Sequence, residues 1–206
     1  MRFAYADPPY PGKAGKYRDH PDYAGEVDHA ELIARLERDF PDGWALSSDA
    51  GALQDVLAVC PQQRIPRGAV GGGTREGLRV LAWCKPTARP GGGFGPLYGW
   101  EPVILRGGRR DRHGPRDWLV CAPELYSLRR KPDEWVLGAK PYPFMAWVFR
   151  CLGARPGDDE LVDLFPGSGA AGAAWQAFAA QLDLERTIEG LPQPARRSPM
   201  QGELRG

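Results

Sequence analysis

Two short stretches carry residue types suited to chemistry, and they lie far apart in the chain. The first is Asp7-Pro8-Pro9-Tyr10, which closes a run of five residues, Arg2 to Ala6, that alternates polar and apolar side chains and contains aromatic rings. That run suits a buried or half-buried strand. Two successive prolines forbid the ladder from continuing, because proline fixes φ and lacks an N–H. Each also pushes the preceding residue toward extended geometry, so a carboxylate, a free carbonyl and an aromatic ring are displayed from one stiff corner. The second stretch is Pro166-Gly167-Ser168-Gly169, which follows a buried strand read over Glu160 to Phe165 and precedes an alanine-rich helix read over Ala170 to Ala180. Glycines at a strand-to-helix junction let the backbone approach a ligand while the helix N-terminus offers free N–H groups. Gly167, Gly169 and Gly172 also satisfy G-x-G-x-x-G, a pattern that fits a dinucleotide as well as any other adenosine-containing cofactor.

A third stretch is chemically distinct by charge alone. Residues 106 to 131 carry eight basic side chains (Arg106, Arg109, Arg110, Arg112, Arg116, Arg129, Arg130, Lys131) against Asp111, Asp117 and Glu124. Such a concentration suits either a solvated loop or a polyanionic partner. The interleaved Trp118 and Tyr126 would stack on bases in the second case and anchor the loop in the first.

The elements that must position these stretches alternate between strand and helix. Pro11 to Val27 is polar and glycine-containing, and reads as a loop that orders on binding, a candidate lid. Asp28 is a good N-cap, with Glu31 completing a capping-box pattern and Leu32, Ile33, Leu36 and Phe40 at helical spacing. Trp44 to Ser48 reads as a strand, Ala50 to Val59 as a helix, and Leu78 to Cys84 and Trp100 to Arg106 as two further strands. A helix is expected from Pro143 to Leu152. In a doubly wound sheet, ligands sit beyond the carboxyl ends of adjacent strands, and here two strands end in ligand-type turns.

Composition bounds the remainder. The chain has 206 residues, 42% of them hydrophobic and 26% charged, with a net charge of +1, so an argument for nucleic acid must be local. The 27 glycines and 21 prolines imply many turns. No 18-residue apolar run and no signal-peptide pattern are present, so no membrane association and a cytoplasmic location are expected. Cys60, Cys84, Cys121 and Cys151 are scattered, with no histidine at metal-ligand offsets, and read as reduced thiols with no metal site.

With both stretches in view, the sequence resembles the amino-group DNA methyltransferases that use S-adenosylmethionine. The resemblance rests on A-D-P-P-Y at residues 6 to 10, the catalytic motif, and on D-L-F-P-G-S-G at residues 163 to 169, the cofactor motif. It also includes Lys140-Pro141, about two dozen residues before the glycines. The catalytic motif precedes the cofactor motif, as in the circularly permuted, beta-type order. The resemblance implies an α/β fold with a doubly wound, mostly parallel Rossmann-like sheet, short at one edge. Residues 1 to 190 would form a single methyltransferase domain, with 107 to 139 a small basic target-recognition insertion and 191 to 206 a disordered tail.

The function so implied is methyl transfer from S-adenosylmethionine to an exocyclic amino group of a DNA base. The DPPY form points to adenine N6, with cytosine N4 the alternative. Asp7 and the Pro8 carbonyl would hold the amino group, Pro9 would stiffen the exit and Tyr10 would stack on the extruded base. Asp163, Phe165, Pro166, Gly167, Ser168 and Gly169 would hold the cofactor, with Lys140 near its methionine end. Trp100 is a candidate second wall for the base or else a core tryptophan, and Arg109 and Arg110 are candidate phosphate contacts. The usual acidic residue for the cofactor ribose has no clear counterpart; Asp183 or Glu185 is the candidate. The small recognition region implies relaxed specificity, a homodimer or a partner subunit, and the compact form suits a phage or mobile element. Two other classes compete: a nucleic-acid-binding or assembly subunit with a degenerate cofactor site, and a nicotinamide-dependent oxidoreductase, which leaves D-P-P-Y unexplained.

Overall fold

The computed structural model describes residues 1–18, 23, 25–61, 77–89, 98–109, 114–123, 139–167 and 169–189. Strand β1 (Arg2–Ala6) is buried over four of its five residues, which requires cover on both faces rather than one. Its odd side chains, Phe3 and Tyr5, pack with helices α3 (Tyr142–Leu152) and α4 (Ala170–Glu189). Its even ones, Ala4 and Ala6, are small enough to let α1 (His29–Asp39) and α2 (Leu53–Ala58) approach, so Leu32, Ile33, Leu36 and Val56 complete the second core. Full burial of rings such as Phe3 and Phe144 stabilises the layer contact by about 1.5–3 kcal/mol each.

Beside β1 lie β2 (Gly43–Ser47) and β6 (Glu160–Asp163), both parallel to it. With β3 (Leu78–Arg89), β4 (Tyr98–Gly107) and β5 (Trp118–Val120), they form a six-stranded sheet in the order β5-β3-β4-β2-β1-β6. Only β4 runs against its neighbours, so five strands point their carboxyl ends to one edge of the sheet. The result is the doubly wound, Rossmann-like α/β architecture expected, with β5 and β6 as its two edge strands among the described residues. No helix there is long and apolar enough to cross a membrane, and no group of three or more His, Cys, Asp or Glu among those residues could hold a metal ion.

Local chemistry explains the boundaries. Asp28 caps α1 by accepting from the N–H groups of Ala30 and Glu31 at 2.9 and 3.1 Å, and Gly153, at φ +63°, ends α3 in the left-handed conformation glycine favours. Several elements differ from the sequence expectation. β3 runs past Pro86 to Arg89, because an irregularity between Cys84 and Arg89 takes the proline out of the ladder. α4 continues past Ala180 to Glu189, since the residues from Gln181 to Glu185 are mostly good helix formers. The Ala50–Val59 helix is a 3-10 turn at Ala50–Ala52 followed by α2. β5, a three-residue parallel edge strand, lies inside the stretch read only as a basic loop.

Candidate active site

The register of β1 sets the site. Tyr5 pairs with Asp163 on one side and Ala45 on the other, so the Asp7 corner and the start of the glycine turn leave the sheet side by side at its carboxyl edge. Leu164 N–H donates to the Tyr5 carbonyl at 3.0 Å and fixes that adjacency one residue beyond the strand. Past the prolines, Lys13 N–H donates to the Tyr10 carbonyl at 2.8 Å, and a 3-10 turn follows at Ala14–Tyr17. Glu26 accepts from Gly12 and Ala14 N–H groups at 3.1 and 3.2 Å, and Lys13 pairs with Asp49 beyond β2. The described part of the segment read as a lid is therefore pinned, with Ala14 fully buried.

Around Asp7 the structure assembles two carboxylates, two ammonium groups and a phenol. Lys140 Nζ lies 2.8 Å from Asp7 Oδ2 and 4.0 Å from Glu101 Oε2, and donates to Tyr10 Oη at 3.3 Å. Tyr10 O–H donates to Glu101 Oε2 at 3.0 Å, while Lys85 holds the other Glu101 oxygen. Strand alternation produces this cluster: Trp83 and Glu101 are register partners on β3 and β4, and Lys85, two residues on, shares their face. The Trp83 ring supports both cations, with Lys85 Nζ 4.6 Å and Lys140 Nζ 6.0 Å from its centre. Burial pushes the Asp7 carboxyl above its ordinary value, opposed by Lys140. Burial, then Asp7 and Glu101, push the Tyr10 hydroxyl well above its own, which keeps it a neutral O–H donor.

Next to this cluster, Asp163 Oδ1 accepts the Phe165 N–H at 3.1 Å and shapes the turn out of β6. Burial raises its carboxyl above the ordinary range, and the Phe165 N–H opposes that rise. Gly167 and Gly169 adopt φ of +36° and +71°, the region that favours glycine. Among the described residues, a Cβ added at Gly169 or Gly172 would meet nothing within 4 Å. Packing against those residues therefore does not require glycine at position 172, and the first turn of α4 is open there.

The expected residues are redistributed. Asp7, Tyr10, Asp163 and the glycine turn converge, and Lys140, expected near the methionine end of the cofactor, is bound to Asp7 and Tyr10. Trp100 shares a sheet face with Pro102 and Ile104, opposite to Glu101, because successive strand side chains alternate. It is 39% exposed there, and Trp83 is the tryptophan of the ionic cluster. Arg109 is held at the other end of the sheet by Asp159 and the Gly153 carbonyl. Asp183 and Glu185 lie inside α4 rather than after a strand, about 20 Å along the helix from the glycine turn at 1.5 Å per residue. Ser168 and Arg110 lie outside the described residues, as do most of residues 107 to 139 and the tail from 191. Glu101, Lys85 and Trp83 were not anticipated. Their signal was a lysine and a glutamate on the inward face of two otherwise apolar strands.

No protein-family model matches the sequence, and no curated protein matches it. Among solved structures, the chain is similar to the crystal structure of the M1.HpyAVI-SAM complex, with a TM-score of 0.53 at 13% identity, covering 87% of this chain and 78% of that one. The crystal structure of M1.HpyAVI also matches, with a TM-score of 0.49 at 11% identity, covering 87% and 76%. At such identities the likeness is one of fold.

Proposed function

We propose that this chain transfers a methyl group from S-adenosylmethionine to an exocyclic amino group of a DNA base, adenine N6. One observation carries the reading: the pairing of Tyr5 with Asp163 sets a carboxylate-proline-aromatic corner directly beside a glycine turn that opens a long helix. The first neighbour is named as a complex with SAM, which fits the cofactor, and DNA as the substrate rests on the motif resemblance. Beyond that fold, the adenine assignment rests on the D-P-P-Y resemblance. Residues 1 to 190 act as one catalytic unit, with the basic residues between 107 and 139, or a second subunit, meeting the DNA.

The residues fit the chemistry. Asp163, Phe165 to Gly169 and the open first turn of α4 would hold the cofactor, which supplies an electrophilic methyl group on a sulfonium. An exocyclic amino group is a poor nucleophile because its lone pair is delocalised into the ring. Asp7 and the Pro8 carbonyl accept its two N–H groups and free that lone pair, and Tyr10 stacks on the base. The ammonium of Lys140 at 2.8 Å already marks where a nitrogen donor meets Asp7. The bound cofactor would supply the methyl group and keep on sulfur the electron pair of the bond given up, and Asp7 would take the one proton that the amino nitrogen releases and pass it to solvent. Most of the rate gain is alignment of nitrogen, methyl and sulfur, a contribution of about 7–11 kcal/mol when geometry is well held.

The outer position of β6 and the absence of a described strand-end acid for the ribose favour a second reading, a binding subunit without catalysis. Labelled-methyl transfer to methylation-free DNA, followed by nucleoside mass spectrometry, separates the two. The enzyme reading requires labelled N6-methyldeoxyadenosine. It also requires Asp7→Ala to abolish transfer with nearly unchanged cofactor affinity by calorimetry. No detectable binding at millimolar S-adenosylmethionine would leave only the binding subunit.

A further inference from the structure

We propose that Glu101 is a positioning residue for this transfer, orienting Tyr10 and receiving Lys140 when the substrate amino group claims Asp7. The inference rests on the methyltransferase reading above. In the free protein Lys140 and the incoming amino group compete for one carboxylate, since Lys140 Nζ sits 2.8 Å from Asp7 Oδ2. Lys140 is only 8% exposed, so expelling its charge without a new partner would be costly. Glu101 Oε2 lies 4.0 Å from the same ammonium, and a shift of about 1 Å turns that approach into a hydrogen-bonded pair. Lys85, seated over the Trp83 ring, holds Glu101 Oε1 from the far side and leaves Oε2 aimed at Tyr10 and Lys140. A carboxylate oxygen accepts more than one hydrogen bond, so Tyr10 stays oriented while Lys140 arrives. A bridge that merely tied β3 to β4 would need Lys85 and Glu101 alone. Here the same carboxylate also reaches the residue that would stack on the base and the residue that blocks Asp7.

The test is steady-state transfer to methylation-free DNA at saturating S-adenosylmethionine, with folding checked by circular dichroism. Glu101→Gln takes away the carboxylate that would receive Lys140 and so favours its pairing with Asp7; KM for DNA should rise and kcat/KM fall by about tenfold to a hundredfold, the scale of one hydrogen bond to a charged group. Adding Lys140→Met to that variant should recover part of the loss, because the ammonium that occupies Asp7 Oδ2 is gone. Unchanged kinetics for Glu101→Gln, or a further loss in the double variant, overturns the role. Tyr10→Phe keeps the ring and removes only the hydroxyl, and serves if Glu101→Gln does not fold: a raised KM for DNA supports the role, and an unchanged one overturns it. Wild-type protein that transfers no methyl group removes the function and this role together, whereas active wild type with an indifferent Glu101 removes the role alone.

Discussion

Arg109 donates two hydrogen bonds to Asp159, at 2.7 and 2.9 Å, at the end of the sheet opposite Asp7. Asp159 has a fully buried side chain and also accepts from the Met1 ammonium at 2.8 Å and the Arg155 N–H at 2.7 Å. The guanidinium, chiefly, holds its carboxyl well below the ordinary carboxylate range. Such a group contributes stability that is fully present above the unfolded value of about 3.9 and is lost as pH falls through the lower folded value. Asp159→Asn should cost about 3 kcal/mol in urea denaturation at pH 7 and should flatten the loss of stability below pH ~4.

The Lys140→Met variant should move the acid side of the pH–rate profile to higher pH. Lys140 is the largest influence holding the Asp7 carboxyl down against burial, so without it the protonated acid persists to higher pH. A protonated Asp7 accepts poorly from an amino group. Methyl transfer measured from pH 5 to 9 checks the shift, which a purely structural lysine would not produce.

Gly172→Ala sets stability against ligand binding. An added Cβ meets nothing within 4 Å, and replacing a helical glycine should stabilise α4 by about 1 kcal/mol. Should the cofactor lie over that turn, the same methyl group weakens its affinity. Thermal melts and calorimetry with S-adenosylmethionine should therefore move in opposite directions. At Gly169, φ +71° makes Ala costly in strain as well, by about 1–2 kcal/mol.

Ser48, one residue beyond β2, is 1% exposed, and its hydroxyl has no hydrogen-bond partner among the described residues. Ser48→Ala should be neutral or stabilising by about 1 kcal/mol, since an unpaired buried hydroxyl is an expense with no return. Denaturant titration measures this. A loss of transfer without a loss of stability would instead assign that hydroxyl to the substrate.

Charge reversal at Arg109 should leave the salt slope of DNA binding unchanged while lowering stability, because its guanidinium is committed to Asp159. Binding isotherms at several salt concentrations measure the slope.

The sequence signals that proved legible were local ones. Prolines at 8 and 9 ended β1, Asp28 capped α1, and the strand-glycine-helix pattern located β6 and α4. What could not be read locally was which strands become neighbours and which face each side chain takes. Trp100 and Glu101 are adjacent in sequence yet lie on opposite faces, and one residue of register decides which meets Tyr10. Arg109 sat in a basic run, but its partner is 50 residues away and no composition argument reaches it. Pro86 misled for a related reason: whether a proline ends a strand depends on whether the partner strand needs its N–H.

Strand β1 precedes β2 and β6 in the sequence and sits between them, and the contact between Arg2 and Glu160 spans 158 positions of sequence. During translation the corner bearing Asp7 therefore waits for its second neighbour until β6 has left the ribosome. Closing so long a loop is a late event, governed by chain entropy rather than by local propensity. The two halves of the candidate site come into existence as one object, near the end of folding, and an amino-terminal fragment that stops before β6 holds only one of them.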